Sequence, residues 1–435
     1  MKINNFRDKK PDSYGNRPMI LCTLNLICFL SACSIKAQID VNKPTCFPLT
    51  AHEIYLSLPA GTKVFYVNIV DSADNAVSTN LVNIGETFIL DSLSAKHIQF
   101  DPAVWVKPQI YNDAPDSLNY PDEKAFYYEG LDYLGHKTKV FAYIGFPANA
   151  SSNNKVPAVV LVHGGGGTAY PQWVKIWNDQ GYAAIAMDLE GHLPGTPGIY
   201  PLPTHDFSGP PNTNYADINM NIKNQWMYHA VADAYLAYSL LASDEKVDKS
   251  RIGITGISWG GLITSIAVGN SDCFAFAIPV YGCGYLNTSK GFFKGIYNEQ
   301  VTKQWDASNW LPTVKTPTLW INSDSDYHFS VDATTKSAQT VKNSKATILP
   351  GFPHSHGDGW YPKEIYSFAN SIVKDSNGLI KILKQPTEDD LIVKIDTHKT
   401  YGVKSAVLIY SKERITYDTN SKLTNVWLQK PIECR

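Results

Sequence analysis

Ser258 stands where a serine can act as a nucleophile. It lies in Gly-Ile-Ser-Trp-Gly, residues 256–260, directly after a strand-like run (251–255) and before a small apolar, helix-compatible run (262–268). A strand that turns sharply into a helix brings two backbones together, and glycine permits this approach because it has no Cβ. Such a turn exposes the serine hydroxyl above a sheet. The pattern therefore predicts covalent catalysis by Ser258.

A run of four glycines could bind the negative charge that such catalysis develops. Residues 164–167 are all glycine and follow His163 and a buried strand-like run. We expect the N–H groups of Gly165 and Trp259 to form an oxyanion hole. The run could instead be an ordinary flexible loop, but a P-loop is excluded because no Gly-Lys-Ser/Thr follows. His163 is expected to hold this loop in place.

The nucleophile needs a base, and the base needs an acid that orients it. After a strand-like run at 318–322 comes Ser-Asp-Ser-Asp, residues 323–326. We predict Asp326 as the acid, because the extra residues let its carboxylate return to the sheet edge. Asp324 is the alternative, although an aspartate in this position often hydrogen-bonds its own turn.

Two histidines, His354 and His356, compete for the role of base. Residues two apart in an extended loop point to the same side, so spacing cannot choose between them. Pro353 stiffens the backbone before His354, whereas Gly357 and Gly359 let the chain swing the second imidazole over the sheet edge. We therefore predict His356 as the general base, with His354 as the alternative.

The elements that would position these residues lie between residues 124 and 375, where strand and helix patterns alternate. Buried apolar runs occupy residues 158–162, 183–187, 252–255, 274–280, 318–321 and 346–349, and helical stretches occupy 171–179, 222–242 and 362–374. Such alternation predicts a mostly parallel, doubly wound sheet covered by helices on both faces. The long Gly/Pro-rich connection at 188–220 is expected to be a lid or a pocket wall.

Two flanking regions, residues 44–110 and 386–435, show only short β-strand patterns. Neither offers enough strands to bury a core by itself. We therefore expect the two all-β segments to lie close together and to share a sandwich.

Residues 124–375 resemble the dienelactone-hydrolase-like and acetylxylan-esterase-like α/β hydrolases, close to the prolyl-oligopeptidase group. The resemblance is carried by His163-Gly-Gly-Gly-Gly, Trp226-Met-Tyr-His229-Ala-Val, Gly256-Ile-Ser258-Trp-Gly-Gly, Pro279-Val-Tyr-Gly-Cys-Gly and His354-Ser-His356-Gly-Asp-Gly-Trp. It implies the α/β-hydrolase fold and a Ser-His-Asp triad that needs no cofactor. One departure is that Ser323 stands where the family's acid turn usually has glycine.

The resemblance favours a carboxylesterase acting on acylated carbohydrate or on a small ester. A serine peptidase is the alternative, ranked lower because no propeller-sized region precedes residue 124. A binding protein with a silent hydrolase domain is the third hypothesis, and the intact Ser/Asp/His order argues against it.

The first 37 residues are typical of a targeting segment. An apolar run at 19–30 is too short to span a bilayer, and it ends in Leu-Ser-Ala-Cys, which looks like a lipobox. We expect a lipid on Cys33 and an exported protein, located in the periplasm or at the outer membrane of a bacterium. The protein is expected to contact a membrane only through this lipid anchor. Cleavage after Ala37 is the alternative.

Charge and cysteine content exclude two further classes. The formal net charge is −2 and no basic stripe is present, which excludes a nucleic-acid partner. Cys46, Cys273, Cys283 and Cys434 follow the targeting segment without CxxC or Cys/His spacing, so no metal site is predicted. We expect Cys273 and Cys283 to be free thiols.

Overall fold

The computed structural model describes residues 51–86, 96–195, 200–289, 291–293, 295–418 and 423–432. The predicted targeting segment with Cys33 lies outside these residues, and so does a β pattern at residues 87–90. Among the described helices, none combines the length and the apolar character needed to cross a membrane.

The described residues begin and end in β structure, and strands alternate with helices between. The strands are β1 Ala51–Tyr55, β2 Val64–Asp71, β3 Ala76–Ser78, β4 Val82–Asn83, β5 Ile110–Tyr111, β6 Glu123–Glu129, β7 Lys139–Gly145, β8 Val156–Val162, β9 Ala183–Met187, β10 Val247–Ile257, β11 Ala277–Val280, β12 Thr318–Ser323, β13 Ser344–Leu349, β14 Lys381–Lys384, β15 Ile392–Asp396, β16 Val403–Ser411 and β17 Leu428–Pro431. The α-helices are α1 Pro171–Asp179, α2 Trp226–Ala242, α3 Trp259–Asn270, α4 Glu299–Trp305, α5 Val331–Thr340, α6 His356–Gly359 and α7 Lys363–Val373.

A six-stranded parallel sheet forms the centre, in the order β9-β8-β10-β11-β12-β13. Every residue of β8 is buried. Because successive side chains point to opposite faces of a strand, burial of all of them means that both faces of the sheet are covered. The predicted mostly parallel, doubly wound sheet of the α/β-hydrolase fold is confirmed.

The carboxyl ends of these parallel strands meet at one edge of the sheet. Residues 163–167 follow β8, Ser258 follows β10, Tyr281 follows β11, Asp326 lies just after β12, and His354 lies beyond β13. In the sheet, β9 lies on one side of β8, whereas β10 lies on the other side. The direction in which successive strands are added therefore reverses at β8. Open α/β sheets bind their ligands at such a point.

The flanking β segments pair with each other over long registers. β1 pairs antiparallel with β15, and β2 pairs antiparallel with β16 from Val64↔Ser411 to Asp71↔Val403. The expected proximity of the two regions is therefore present. They are not a separate sandwich, however, because β3 pairs with both β2 and β13 and so makes β17-β16-β2 a continuation of the central sheet.

Candidate active site

Ser258 occupies a strained turn between β10 and α3. Its backbone has φ 57° and ψ −117°, a combination that residues other than glycine rarely adopt. A Cβ on Gly256 would lie 2.1 Å from the carbonyl oxygen of Gly260, and one on Gly260 would lie 2.0 Å from that of Val162. The glycines are therefore required by close backbone contact, as the sequence pattern predicted. Strain of this kind is characteristic of functional sites.

A relay of hydrogen bonds runs from Ser258 to a buried carboxylate. His354 Nε2 lies 2.9 Å from Ser258 Oγ, and His354 Nδ1 lies 2.6 Å from Asp326 Oδ2. The Asp326 side chain has no exposed surface, and its Oδ1 accepts the backbone N–H groups of His328 and Phe329 at 2.8 and 2.9 Å. The carboxylate is therefore fixed by the backbone and faces one imidazole.

The structure contradicts the prediction that His356 is the partner of Ser258. His356 Nε2 instead accepts the backbone N–H of Gly164 at 2.8 Å. Burial lowers the pKa of His356 to about 3, helped by the neighbouring His163 and His354. An imidazole with such a pKa is neutral near pH 7 and carries one ring proton. The glycines after His356 did not bring its imidazole to Ser258: Ser355 caps α6, which begins at His356, and the imidazole contacts the glycine loop instead.

Asp324, the alternative acid, hydrogen-bonds the backbone and does not orient a histidine. Its Oδ1 accepts the backbone N–H of Gly351 at 2.8 Å. Ser323, which stands where the related families have glycine, is fully buried, and its hydroxyl hydrogen-bonds that of Ser325 at 2.9 Å. A serine is tolerated here because the same turn satisfies its hydroxyl.

The ring of Tyr281 packs against the imidazole of His354, a contact that the sequence analysis did not predict. Its ring stacks on the imidazole with centroids 4.5 Å apart and planes 29° apart. Its hydroxyl donates to the carbonyl of Pro353 at 2.5 Å. The available signal was its place directly after β11, where the adjacent strands also carry site residues.

The predicted oxyanion donors lie beside the serine. Gly165 and Trp259 line the same pocket as Ser258. Trp259 is the first residue of α3, and N–H groups in the first turn of a helix have no partner within the helix. The N–H of Gly165 has no hydrogen-bond partner among the described residues. Both groups are thus available to an oxyanion.

The pocket at Ser258 has a volume of about 380 Å³ and two unlike walls. Glu190, Asn212 and Asn214 form a polar wall, contributed by the long 188–220 connection that was expected to line a pocket. Trp259, Phe292 and Phe293 form an aromatic wall.

His328 also lines this pocket, beside the His354 ring at a centroid distance of 4.4 Å. Burial lowers the pKa of His328 to about 4, with a further contribution from His354. His328 is therefore neutral near pH 7. Nothing in the sequence pattern pointed to this residue except its position two after Asp326.

Among the described residues, one group of side chains could hold a metal ion. Asp326, His328 and His354 offer ligand atoms that all lie within 4.8 Å of one another. Two of the three are already joined by the 2.6 Å hydrogen bond of the relay. The same residues thus fit proton transfer with the serine, and the absence of a metal site stays a prediction.

Two family models match overlapping parts of the chain. The acetyl xylan esterase (AXE1) model matches residues 119–286, and the prolyl oligopeptidase family model matches residues 215–358. Both matches include the Ser258 turn, and the second also includes Asp326 and His354. Together with the α/β-hydrolase fold and the Ser258–His354–Asp326 contacts, these matches support a serine hydrolase. The chain's resemblance to acetylxylan-esterase-like hydrolases close to the prolyl-oligopeptidase group is confirmed.

Individual relatives of this hydrolase are distant. Dipeptidyl-peptidase 4 of Giardia intestinalis is 21% identical over 276 residues, which are 57% of this chain and 33% of that protein. The chain spans about a third of the length of such curated relatives.

Two solved structures are similar to parts of the chain. An acetyl xylan esterase from Paenibacillus sp. R4 is 20% identical, with a TM-score of 0.46 over 62% of this chain and 95% of that one. The acylaminoacyl peptidase of Pyrococcus horikoshii is also 20% identical, with a TM-score of 0.44 over 60% and 44% of the two chains.

Proposed function

We propose that this hydrolase is an exported carboxylesterase that removes small acyl groups from carbohydrate or from another small alcohol. The observation that carries the proposal is the pocket at Ser258, which is lined by both polar and aromatic side chains. Asn and Glu side chains can hydrogen-bond the hydroxyl groups of a sugar, while aromatic rings pack against its apolar face.

The reaction is a two-step acyl transfer to water. His354 Nε2 takes the proton from Ser258 as Oγ attacks the acyl carbon, and the imidazolium then donates that proton to the leaving alcohol. Asp326 holds the proton of Nδ1, so that the lone pair of Nε2 faces the serine. The N–H groups of Gly165 and Trp259 stabilise the tetrahedral oxyanion. Water activated by the same imidazole then releases the acid and restores the serine.

A serine peptidase is the second candidate, and Glu190 is the observation that favours it. The half-buried carboxylate of Glu190 lines the pocket together with Ser258. A carboxylate at that position can pair with the free α-ammonium group of a peptide substrate. The prolyl oligopeptidase family match and the named dipeptidyl-peptidase relatives also support this reading.

Turnover of three substrate types separates the candidates. We expect release of acetate from acetylated xylo-oligosaccharides and hydrolysis of p-nitrophenyl acetate, both abolished in Ser258→Ala. Dipeptidyl and aminoacyl p-nitroanilides should be poor substrates. Faster cleavage of p-nitroanilides with a free amino terminus, lost in Glu190→Gln, would establish the peptidase instead. Binding of acetylated oligosaccharide without turnover of any substrate would favour the non-catalytic hypothesis.

The proposed location rests on the sequence of the targeting segment. A lipid on Cys33 would tether the enzyme to a membrane of the bacterial envelope, where polysaccharide esters are accessible. No nucleic acid or cofactor takes part in the proposed reaction.

A further inference from the structure

His356 and Glu190 contact the glycine loop, residues 164–167, from two sides. His356 Nε2 accepts the N–H of Gly164 at 2.8 Å, and Glu190 Oε1 accepts the N–H of Gly166 at 3.1 Å. The N–H of Gly167 is taken by the carbonyl of Gly164 at 3.1 Å. Three of the four amides in the loop are therefore occupied. The amide of Gly165, a residue that lines the pocket, has no partner among the described residues.

The glycine loop lies so close to Ser258 and Trp259 that a small movement of the loop would change the geometry of the active site. A Cβ on Gly164 would lie 3.1 Å from the Cβ of Ser258, and one on Gly165 would lie 2.6 Å from Cδ1 of Trp259. Four consecutive glycines have wide conformational freedom, so the loop requires outside contacts to keep one geometry. An oxyanion hole works only if its donors are aimed before the charge develops.

The environment of His356 indicates that the side chain serves as a hydrogen-bond acceptor and not only to fill space in the core. Because Nε2 accepts a hydrogen bond, the ring proton is on Nδ1, which is buried and has no partner among the described residues. Leaving a buried donor unsatisfied is costly, and an apolar ring of similar size would avoid that cost. The ring contacts Tyr170 and Trp173, which would accommodate a phenyl group equally well.

We propose that His356 and Glu190 are positioning residues that aim the Gly165 N–H at the oxyanion. The inference rests on the proposed acyl-transfer function. His356 acts through Gly164 and takes no part in proton transfer, while Glu190 fixes the other side of the loop through Gly166. Neutral His356 is the competent form, because a proton on Nε2 would turn the acceptor into a second donor facing the N–H of Gly164.

The experiment compares His356→Phe with His356→Gln in the full chain. Phenylalanine keeps the ring and removes the acceptor, whereas the amide oxygen of glutamine can reach the place of Nε2. Hydrolysis of p-nitrophenyl acetate is measured together with Tm, and His398→Gln serves as a control because His398 is exposed in the C-terminal region. We expect kcat to fall roughly 10- to 100-fold in the phenylalanine variant with KM within about twofold, since losing one oxyanion donor outright costs 10²–10³. Glutamine should restore kcat to within about fivefold of the parent enzyme.

Glu190→Gln and Glu190→Leu form a second matched pair. We expect kcat to fall more in the leucine variant than in the glutamine variant, because the amide oxygen of glutamine can still accept the N–H of Gly166. The proposal is overturned if His356→Phe leaves kcat unchanged, if the glutamine and phenylalanine variants lose kcat equally, or if the loss appears in KM and Tm instead.

A second measurement tests the positioning role even if the natural substrate is not an ester. The rate at which a fluorophosphonate labels Ser258 also depends on the oxyanion donors, because negative charge develops on the phosphoryl oxygen. If the parent enzyme hydrolysed none of the substrates, the proposed function would fail, yet slower labelling of His356→Phe with rescue by glutamine would still support the positioning role. Equal labelling rates in all three would overturn it.

Discussion

Replacing His354 with alanine should abolish nearly all catalysis. The change removes the hydrogen bonds of 2.9 Å to Ser258 and 2.6 Å to Asp326, and so removes both the base and its orientation. His356 cannot substitute, because its Nε2 accepts the backbone N–H of Gly164. We expect kcat to fall roughly 10⁴- to 10⁶-fold, as in triads that act as a unit. This corresponds to about 5–8 kcal/mol of transition-state stabilisation.

The assay is hydrolysis of p-nitrophenyl acetate, with circular dichroism and Tm to show that each variant is folded. His356→Ala is the comparison, and it should lose only roughly 10- to 100-fold, because it disturbs one oxyanion donor and leaves proton transfer intact. A His354→Ala enzyme that kept more than about a tenth of its kcat, beside a fully inactive His356→Ala enzyme, would refute this reading of the loop.

Three further predictions concern Tyr281, the two buried histidines and the targeting segment. Tyr281→Phe, which keeps the ring under the imidazole and loses only the hydroxyl, should lower kcat by roughly 3- to 10-fold with little change in Tm, whereas an unchanged kcat would show that the hydroxyl is dispensable. His328 and His356 have folded pKa values of about 4 and about 3, below the unfolded value, so the unfolded state binds more protons and the free energy of unfolding should decrease as pH falls from about 6.5 towards 3. Urea unfolding of His356→Phe should show a smaller decrease over that range, and an identical decrease would contradict the buried neutral state. Mass spectrometry of the mature protein should find a lipidated Cys33 at the N-terminus, and an unmodified terminus at Gln38 would contradict the lipobox.

The parts of the site that sequence could predict depend on local backbone geometry. The turn at Ser258 needs glycines within two residues on either side, and that requirement is visible in the sequence. The buried strands were likewise visible as apolar runs, and β9 was predicted with its observed ends, residues 183–187. Each of these features is decided by neighbours along the chain.

The choice between His354 and His356 was not local and was predicted wrongly. It depends on Gly164, which precedes His356 by 192 residues, and on the turn made by Ser355 into α6. Neither contact can be predicted from the flexibility of Gly357 and Gly359, on which the prediction was based. Two residues that point to the same side of an extended loop reach different partners once a helix begins between them.

The place of the flanking β segments was also decided by a long-range contact. β2 and β16 lie in the two flanking regions and pair with each other, but β3 is only three residues long and its pairing with β13 joins the flanks to the central sheet. A strand so short leaves no periodic pattern in the sequence, so a separate sandwich was the expectation.

Labelling by a fluorophosphonate probe tests the central claim most directly. The claim is that Ser258 is a nucleophile activated by His354, which is itself held by Asp326. Intact-protein and peptide mass spectrometry should find one probe adduct, on the peptide that contains Ser258, and no adduct in Ser258→Ala. Labelling in His354→Ala should be slower by at least roughly 10³-fold, since the serine has lost its base. Labelling that persisted in Ser258→Ala, or that proceeded at the parent rate in His354→Ala, would contradict the account.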